Sequence, residues 1–208
     1  MSNFLGIDLG ASALKACLID ESGTSLSVAR AAYDTHQPAP GQSEQNPADW
    51  RAAMYCALAD LRTQNGDALD NIAAISFSGG AHIAVLCDSA GLVLRPAIMW
   101  SDQRAAAQAA ELAAQGKVEA LSGNAPNATW TLPQLIWLAT HEAGIIAATK
   151  KLYFAKDWLT AQLTGTHKSD ASEAVGSLMA NRNGAWHDTL TAMSGIAPAA
   201  FPEILASG

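Results

Sequence analysis

The feature that most constrains this chain is a pair of short apolar runs near its start, joined by a turn of four small residues. Residues 4–9 and 14–19 are each too short for a stable helix, and Gly10-Ala11-Ser12-Ala13 between them permits a tight reversal. A third apolar run at residues 26–33 follows the turn Glu21-Ser22-Gly23. Adjacent strands with such short connections predict an antiparallel meander at the start of the fold.

A helix is predicted after a polar loop at residues 35–45. Asn46 is a favourable N-cap, Pro47 suits the first helical position, and Gly66 suits the C-terminal end. Between them the apolar side chains recur every three or four residues, at Trp50, Ala53, Met54, Ala57, Leu58 and Leu61. This spacing indicates an amphipathic helix with one buried face.

The rest of the chain predicts further strands, followed mostly by helices. Strands are expected at residues 72–77 and 83–87, and a further short strand is expected within residues 92–100. Helices are expected from Asp102 to about residue 115, and at about residues 132–141, 157–163 and 188–193. This order of elements predicts an α/β domain.

The size and charge of the chain exclude several functions. A chain of 208 residues that is 50% hydrophobic suits one large domain with a buried core and rules out wholesale disorder. Its 12 Lys and Arg against 19 Asp and Glu leave a net charge of −7, so binding to nucleic acid or to an anionic membrane is not expected. No apolar segment is long enough to cross a membrane, and the start lacks the features of a signal peptide.

The cysteines indicate a reducing compartment. Cys17, Cys56 and Cys87 are odd in number, form no CxxC pair and lie among apolar residues. They are therefore expected to be buried, reduced thiols in a cytoplasmic protein.

The segment Gly6-Ile7-Asp8-Leu9-Gly10-Ala11-Ser12, with Lys15 after it, has the clearest chemical potential. Gly10 lets the backbone approach a ligand, and the N–H groups of such a turn can bind phosphate oxygens. Asp8 suits a divalent cation, directly or through water, and Lys15 is a further candidate for phosphate contact. The spacing is neither that of a Walker A loop nor that of the Rossmann fingerprint. A tight hairpin that merely contains an acidic residue is an equal alternative at this point.

Two other segments combine a turn with polar or aromatic side chains. In Ser78-Gly79-Gly80-Ala81-His82, the glycines permit a bend beside a cleft, and His82 can hydrogen-bond a hydroxylated ligand. A structural histidine in a turn is the simpler alternative. In Trp100-Ser101-Asp102-Gln103-Arg104, the indole, carboxylate and guanidinium suit a sugar, whereas the simpler alternative is that Asp102 caps the following helix.

Taken in order, these segments resemble the FGGY family of carbohydrate kinases, within the actin and hexokinase-like superfamily. The resemblance rests on residues 6–12, 41–50, 75–82, 94–104, 156–159, 163–165 and 169–174. Within the family, the segment at residues 75–82 is most similar to that of the xylulose kinases. The resemblance covers essentially the whole chain and implies a ribonuclease H-like α/β fold with a mixed sheet flanked by helices.

The resemblance also implies roles for individual residues, with ATP and Mg²⁺ as cofactors. Asp8 matches an aspartate associated with Mg²⁺ and the transferred phosphate, so it is both the catalytic and the metal candidate. The candidates for phosphate binding are Gly10, Ala11 and Ser12, with Lys15 beside them, and those for sugar binding are Ala81, His82, Trp100 and Asp102. The implied partner is a small-molecule sugar, and a homodimer is compatible with the resemblance.

The chain departs from the family pattern in its residues and in its length. Gly80 and Ala81 stand where glutamine and methionine are usual, Ser101 replaces an asparagine, and Gln134 replaces a lysine. Family members are much longer and have two domains. Residues 1–208 are therefore expected to be a nearly complete N-terminal sugar-binding domain. The C-terminal nucleotide-binding domain, and the catalytic base in a GGGD-type segment, are expected beyond residue 208.

Two functions follow from this comparison. The first is the N-terminal part of an ATP-dependent kinase that phosphorylates a hydroxyl of a xylulose-like ketopentose or related polyol, with the fragment itself inactive. The second is a non-catalytic sugar-binding or interaction module derived from such a kinase, which fits the departures at Gly80 and Ala81. Asp8 and the hairpin favour the kinase, because a pure sugar binder has no use for a phosphate site.

Overall fold

The computed structural model describes residues 2–206, and its elements confirm the α/β character predicted from the sequence. The strands are β1 (Asn3–Leu9), β2 (Ala13–Ile19), β3 (Ser25–Ala32), β4 (Glu44–Gln45), β5 (Ile72–Gly79), β6 (Ala84–Cys87), β7 (Ala97–Ile98), β8 (Lys151–Phe154), β9 (Lys168–Asp170) and β10 (Glu203–Leu205). The helices are α1 (Pro47–Leu69), α2 (Ala106–Gln115), α3 (Lys117–Ser122), α4 (Thr131–His141), α5 (Ala143–Ala148), α6 (Ala155–Thr164), α7 (Ala171–Gly176) and α8 (Asp188–Met193).

The main sheet has four strands in the order β3-β2-β1-β5. The first three strands are antiparallel neighbours, which confirms the predicted meander, and β5 joins β1 in parallel. A parallel neighbour requires a crossover connection, and α1 forms it. The sheet is therefore mixed, and the carboxyl ends of β1 and β5 lie at the same edge.

The first apolar core lies between α1 and one face of the main sheet. Alternate side chains of β1, including Leu5 and Ile7, are buried there. They pack with Trp50, Met54 and Leu61 on the predicted stripe of α1, all three fully buried. The buried face of β1 and the apolar stripe of α1 thus pack against each other in one interface. Such packing of an apolar face is the main source of stability for a helix of this kind.

The two ends of α1 differ in how closely they follow the prediction. The Asn46 side chain accepts the N–H of Ala48 at 3.0 Å, and Pro47 is the first helical residue, as expected. The predicted end at Gly66 is wrong, because the helix resumes after a kink at Asn65 and continues to Leu69. Leu69 packs against the first core, and this tertiary contact extends the helix past the glycine.

A second apolar core is built by the helices of the C-terminal half, and a two-stranded ribbon of β6 and β8 separates it from the first. Val85 and Tyr153 belong to the first core, whereas their neighbours Leu86 and Leu152 belong to the second. Successive side chains of a strand point to opposite faces, so this ribbon serves both cores at once. No helix in the described part of the chain is both long and apolar enough to span a bilayer.

Two local predictions need correction. The short strand expected within residues 92–100 is β7, but the helix expected from Asp102 begins instead at Ala106. Cys87 is buried, but Cys17 is half-buried and Cys56 is exposed. Apolar neighbours in the sequence do not set the direction of a side chain on a helix, and Cys56 lies on the solvent side of α1.

Replacement of Leu61 by alanine tests the first core. Leu61 is fully buried, so Leu61→Ala leaves a cavity and is expected to lower the free energy of unfolding by about 2–5 kcal/mol in a denaturant titration. Leu92→Ala is the matched control, because Leu92 is 67% exposed and its loss should cost less than about 0.5 kcal/mol. Equal losses at the two positions would contradict the described core.

Candidate functional site

The edge of the main sheet where β1 and β5 end positions two of the segments singled out from the sequence. The parallel register pairs Asp8 with Ser78 and Leu9 with Gly79, so the hairpin after β1 and the turn after β5 leave the sheet together. Gly79 is required here, because its φ is +94° and a Cβ atom on it would lie 2.2 Å from the carbonyl oxygen of Leu9. Open α/β sheets commonly bind ligands at the carboxyl ends of their strands.

A cavity of about 340 Å³ lies at this edge and joins residues from distant parts of the chain. It is lined by Leu9, Gly10, Ala11, Gln45, Trp50, Gly80, Ala81, His82, Ile83, Met99, Trp100 and Thr129. The predicted site residues among them are Gly10, Ala11, Ala81, His82 and Trp100. The predicted site residues that do not line it are Asp8, Ser12, Lys15 and Asp102. All three sequence segments therefore contribute to one cavity, although not with every residue expected.

The hairpin between β1 and β2 presents free backbone donors. The N–H of Gly10 donates to the carbonyl oxygen of Ala13 at 3.1 Å and closes the turn. The exposed residues Ala11 and Ser12 donate their backbone N–H groups to no other described residue. Gln45 supports the turn by donating its Nε2 to the Ala11 carbonyl oxygen at 2.8 Å. Two adjacent free N–H groups on a supported turn suit an anion such as phosphate.

Asp8 and Lys15 lie beside the hairpin and share an open depression with Ser78, distinct from the cavity. They are cross-strand partners, so their side chains leave the same face of the sheet. Asp8 Oδ1 accepts the hydroxyl of Ser78 at 2.9 Å, which leaves Oδ2 unbonded to the described residues. One half-exposed carboxylate oxygen beside free N–H donors fits a Mg²⁺ ion that is also held by phosphate oxygens. Residues 2–206 contain no cluster of three His, Cys, Asp or Glu that would form a self-sufficient metal centre.

His82 is held in one orientation at the cavity wall. Its backbone is left-handed, with φ at +46°, and its ring stacks on Trp130 with centroids 5.2 Å apart. The Nδ1 atom is buried and has no hydrogen-bond partner among the described residues. Burial lowers the pKa of His82 below its usual 6.5, so the imidazole is neutral at neutral pH. A neutral, half-buried ring that lines the cavity suits a hydrogen bond to a sugar hydroxyl.

The third segment divides into an exposed aromatic residue and a buried carboxylate. Trp100 is 55% exposed, so its indole is available to the apolar face of a sugar. Asp102 is fully buried, pairs with Arg104 at 2.8 Å and accepts the backbone N–H of Ser43 at 2.6 Å. It therefore does not cap α2. Its carboxylate instead ties the loop that carries Trp100 to the chain before β4.

Sequence reasoning did not assign several of the lining residues to the site. Trp50 was expected only in the core, but its Nε1 donates to Gln45 Oε1 at 2.8 Å and both residues line the cavity. Gln45 lies just before an amphipathic helix and within residues 41–50, which contribute to the family resemblance. This position is the sequence signal that could have placed Gln45 at the site. Met99 and Thr129 follow no pattern in the sequence, because their place depends on how distant loops meet.

The comparisons with known sequences agree on one family. The family model described as the FGGY family of carbohydrate kinases, N-terminal domain, matches residues 3–208. The xylulose kinase of Lactococcus lactis is 33% identical over 210 residues, covering 100% of this chain and 42% of the relative. That of Escherichia coli K12 is 34% identical over 191 residues, covering 90% of this chain and 39% of the relative. The chain therefore spans less than half the length of the curated relatives it matches.

Solved structures extend the agreement to the fold. A "xyloylose kinase" from Brucella ovis superposes with a TM-score of 0.95 at 37% identity, covering 98% of this chain and 43% of that one. The xylulose kinase of Rhodospirillum rubrum gives 0.92 at 28% identity, with 98% and 42% covered. Plasmodium falciparum glycerol kinase with ADP gives 0.85 at 18% identity, a likeness of fold alone, with 98% and 43% covered. These neighbours confirm the predicted fold of the actin and hexokinase-like superfamily.

Substitution of Gly80 tests how closely the cavity wall is packed. Gly80 has φ +62°, and a Cβ atom on it would lie 2.7 Å from the Cβ of Ala155. Strained backbone and steric overlap act together, so Gly80→Ala is expected to lower the free energy of unfolding by about 3 kcal/mol in a denaturant titration.

Gly91→Ala is the control, because Gly91 also has a positive φ of +85° but faces open space. Only the backbone cost of about 1 kcal/mol is expected there. Adding Ala155→Gly to the Gly80→Ala chain should recover the steric part of the loss. A loss at Gly80 no larger than that at Gly91 would show that the wall is not packed as described.

Proposed function

The chain belongs to the FGGY family of carbohydrate kinases, and we propose that residues 1–208 are the N-terminal, sugar-binding domain of a kinase that transfers the γ-phosphoryl group of ATP to a hydroxyl of a ketopentose or related polyol. The observation that supports this most is the single cavity in which the hairpin meets His82 and Trp100. A sugar hydroxyl and a phosphate must be held close together for transfer, and the cavity wall offers donors for both.

The lining of the cavity favours an uncharged sugar over a sugar acid. None of the described residues that line it is Asp, Glu, Lys or Arg, and His82 is neutral at neutral pH. A carboxylate ligand would lose its hydration on entering this cavity and would find no cationic side chain there to compensate, so its binding free energy would be unfavourable. Xylulose-like ketopentoses and polyols are therefore the proposed substrates, and aldonates are not.

The hairpin and Asp8 act on the phosphate side of the proposed reaction. The N–H groups of Ala11 and Ser12 orient phosphate oxygens, and Lys15 adds a positive charge on the face that Asp8 shares. Asp8 would hold Mg²⁺ through its Oδ2, directly or through water. When bound, Mg²⁺ would neutralise negative charge on the transferred group. These groups contribute by positioning and electrostatics rather than by covalent chemistry.

The catalytic base is proposed to lie beyond residue 208, in a second domain that also holds the adenosine. Support comes from the match to the N-terminal domain of the family alone and from the length of the relatives. An aspartate in that domain would accept the proton of the attacking hydroxyl. Closure of the two domains would exclude water and so limit ATP hydrolysis without a sugar.

Substitutions at His82 and Asp8 should separate sugar binding from phosphoryl transfer. In a protein that joins this chain to the proposed second domain, His82→Ala is expected to raise the KM for the sugar about tenfold, because a sugar hydroxyl loses its partner. Asp8→Ala is expected to lower kcat by about 100-fold with little change in KM. ADP formation with Mg²⁺ and a panel of ketopentoses, polyols and aldonates measures both, and the double variant should show both losses.

His141→Ala and Asp60→Ala are the matched controls, because both residues are exposed and neither lines the cavity or the depression at Asp8. Both should leave kcat and KM unchanged. An unaltered KM in His82→Ala would contradict the assignment of the sugar pocket. Preferential phosphorylation of an aldonate would contradict the uncharged substrate.

The 208-residue chain alone is expected to form no ADP in a sugar-dependent manner, because the proposed base and adenosine site lie outside it. The same assay on a protein that includes the downstream residues should show activity. Robust phosphorylation by the isolated chain would contradict a base beyond residue 208. A natural stop codon after Gly208, together with retained sugar binding, would support the non-catalytic module instead.

A further inference from the structure

The left-handed backbone of His82 needs a restraint from outside its own turn. A non-glycine residue with φ at +46° is uncommon, because its side chain crowds the backbone. Thr131 donates its hydroxyl to the His82 carbonyl oxygen, and Trp130 stacks on the ring. From another direction, Glu173 Oε2 accepts the backbone N–H of His82 at 2.6 Å. Of these three contacts, only the last involves an ionisable partner.

Glu173 is itself fixed in place. It lies in the first turn of α7, where the N-cap Asp170 accepts the N–H groups of Ser172 and Glu173. Its side chain is only 6% exposed, and its Oε1 lies 3.9 Å from the Nζ of Lys156. The carboxylate is thus held inside the protein with its other oxygen on His82, and 91 residues separate the two in the sequence.

The ionisable groups around Glu173 leave part of the negative charge uncompensated. Lys156 on α6 donates to Asp157 at 2.6 Å and to Asp170 at 2.7 Å, so one cation faces three carboxylates. Burial, together with these two carboxylates, raises the pKa of Glu173 to about 7, although the His82 N–H and Lys156 oppose the change. Burial alone would also raise the pKa of Asp170, but Lys156 and Ser172 bring it down to about 2. Burial also raises the pKa of Asp157, which Lys156 and Ser169 oppose. Glu173 is the carboxyl of this cluster that bonds to His82.

We propose that Glu173 is a positioning residue for the sugar site, whose carboxylate keeps the imidazole of His82 on the cavity wall by accepting the His82 backbone N–H. This inference rests on the proposed function, in which His82 contacts the sugar. Protonation of Glu173 replaces a charge-assisted hydrogen bond by a weaker neutral one. Only the ionised carboxylate of Glu173 makes the charge-assisted hydrogen bond to His82. Sugar affinity therefore rises as the pH increases through about 7 and falls as the pH drops below it.

Nuclear magnetic resonance of the ¹⁵N-labelled chain tests the contact without any ligand. The amide signal of His82 is expected to titrate with a midpoint near pH 7 as Glu173 ionises. Glu173→Gln keeps an oxygen near the same place but removes the charge, and Glu173→Ala removes the acceptor, so both should abolish the step near pH 7. The response to the imidazole of His82 itself, whose pKa lies below 6.5, should remain at lower pH. Glu203→Gln is the matched control, because Glu203 is a 64% exposed carboxylate whose ion-pair partner among the described residues is Lys168. It should leave the titration of His82 intact.

Calorimetric binding of D-xylulose to the same chain gives the second measurement. Glu173→Gln is expected to raise the Kd about tenfold above neutrality, because a charge-assisted hydrogen bond is about twice as strong as the neutral one that replaces it. It should also remove the dependence of the Kd on pH between about 6 and 8, which a general loss of packing would not do. If Glu173→Ala does not fold, Glu173→Gln and the titration of the unsubstituted chain still decide the question.

An amide signal of His82 that does not respond near pH 7, or that responds equally in Glu173→Gln, would overturn the positioning role. So would an unchanged Kd for D-xylulose in both Glu173 variants when the unsubstituted chain binds it. If the unsubstituted chain binds no sugar, the proposed function fails, while the amide titration still decides whether Glu173 holds His82.

Discussion

The parallel pairing of β1 with β5 is the constraint on which the rest of the structure depends. It joins residues 3–9 to residues 72–79, and at Gly79 any side chain would collide with the backbone of Leu9. Because both strands end at the same edge, the hairpin and the turn of His82 border one cavity. Leu9 belongs both to the first core and to the lining of this cavity, so the packing that stabilises the sheet also shapes the site.

Buried charge pairs fix the opposite side of the cavity. Arg104 pairs with Asp102 and Glu44, and Arg95 pairs with Glu44 and Glu142. These contacts tie β4, the loop before α2 and the end of α4 together. Buried ion pairs add little net stability, because the charges lose their water, but removal of one partner leaves an uncompensated charge. Such a network therefore holds the loop with the exposed indole in one arrangement, much as the cluster around Lys156 holds the turn of His82.

Local sequence patterns predicted this fold wherever the deciding interactions lie within a few residues. The meander of β1 to β3 and the start of α1 at Asn46 and Pro47 follow from apolar periodicity and capping chemistry. The predictions failed where a distant partner decides. Asp102 is a residue type that often caps helices, but its carboxylate accepts the backbone N–H of Ser43, 59 residues away. Gly66 is a residue type that often ends helices, but α1 continues past it to Leu69, which packs partly buried against the first core.

The sequence by itself determined the strand–turn–strand opening, the amphipathic α1, the family and most of the candidate residues, because each depends on a local pattern of side chains. Only the tertiary structure decided that Gly10 and His82 share one cavity while Asp8 faces a separate depression. It alone showed that Glu173 accepts the backbone N–H of His82. The reason is that burial and long-range hydrogen bonds depend on which distant segments pack together, and no short stretch of sequence contains that information.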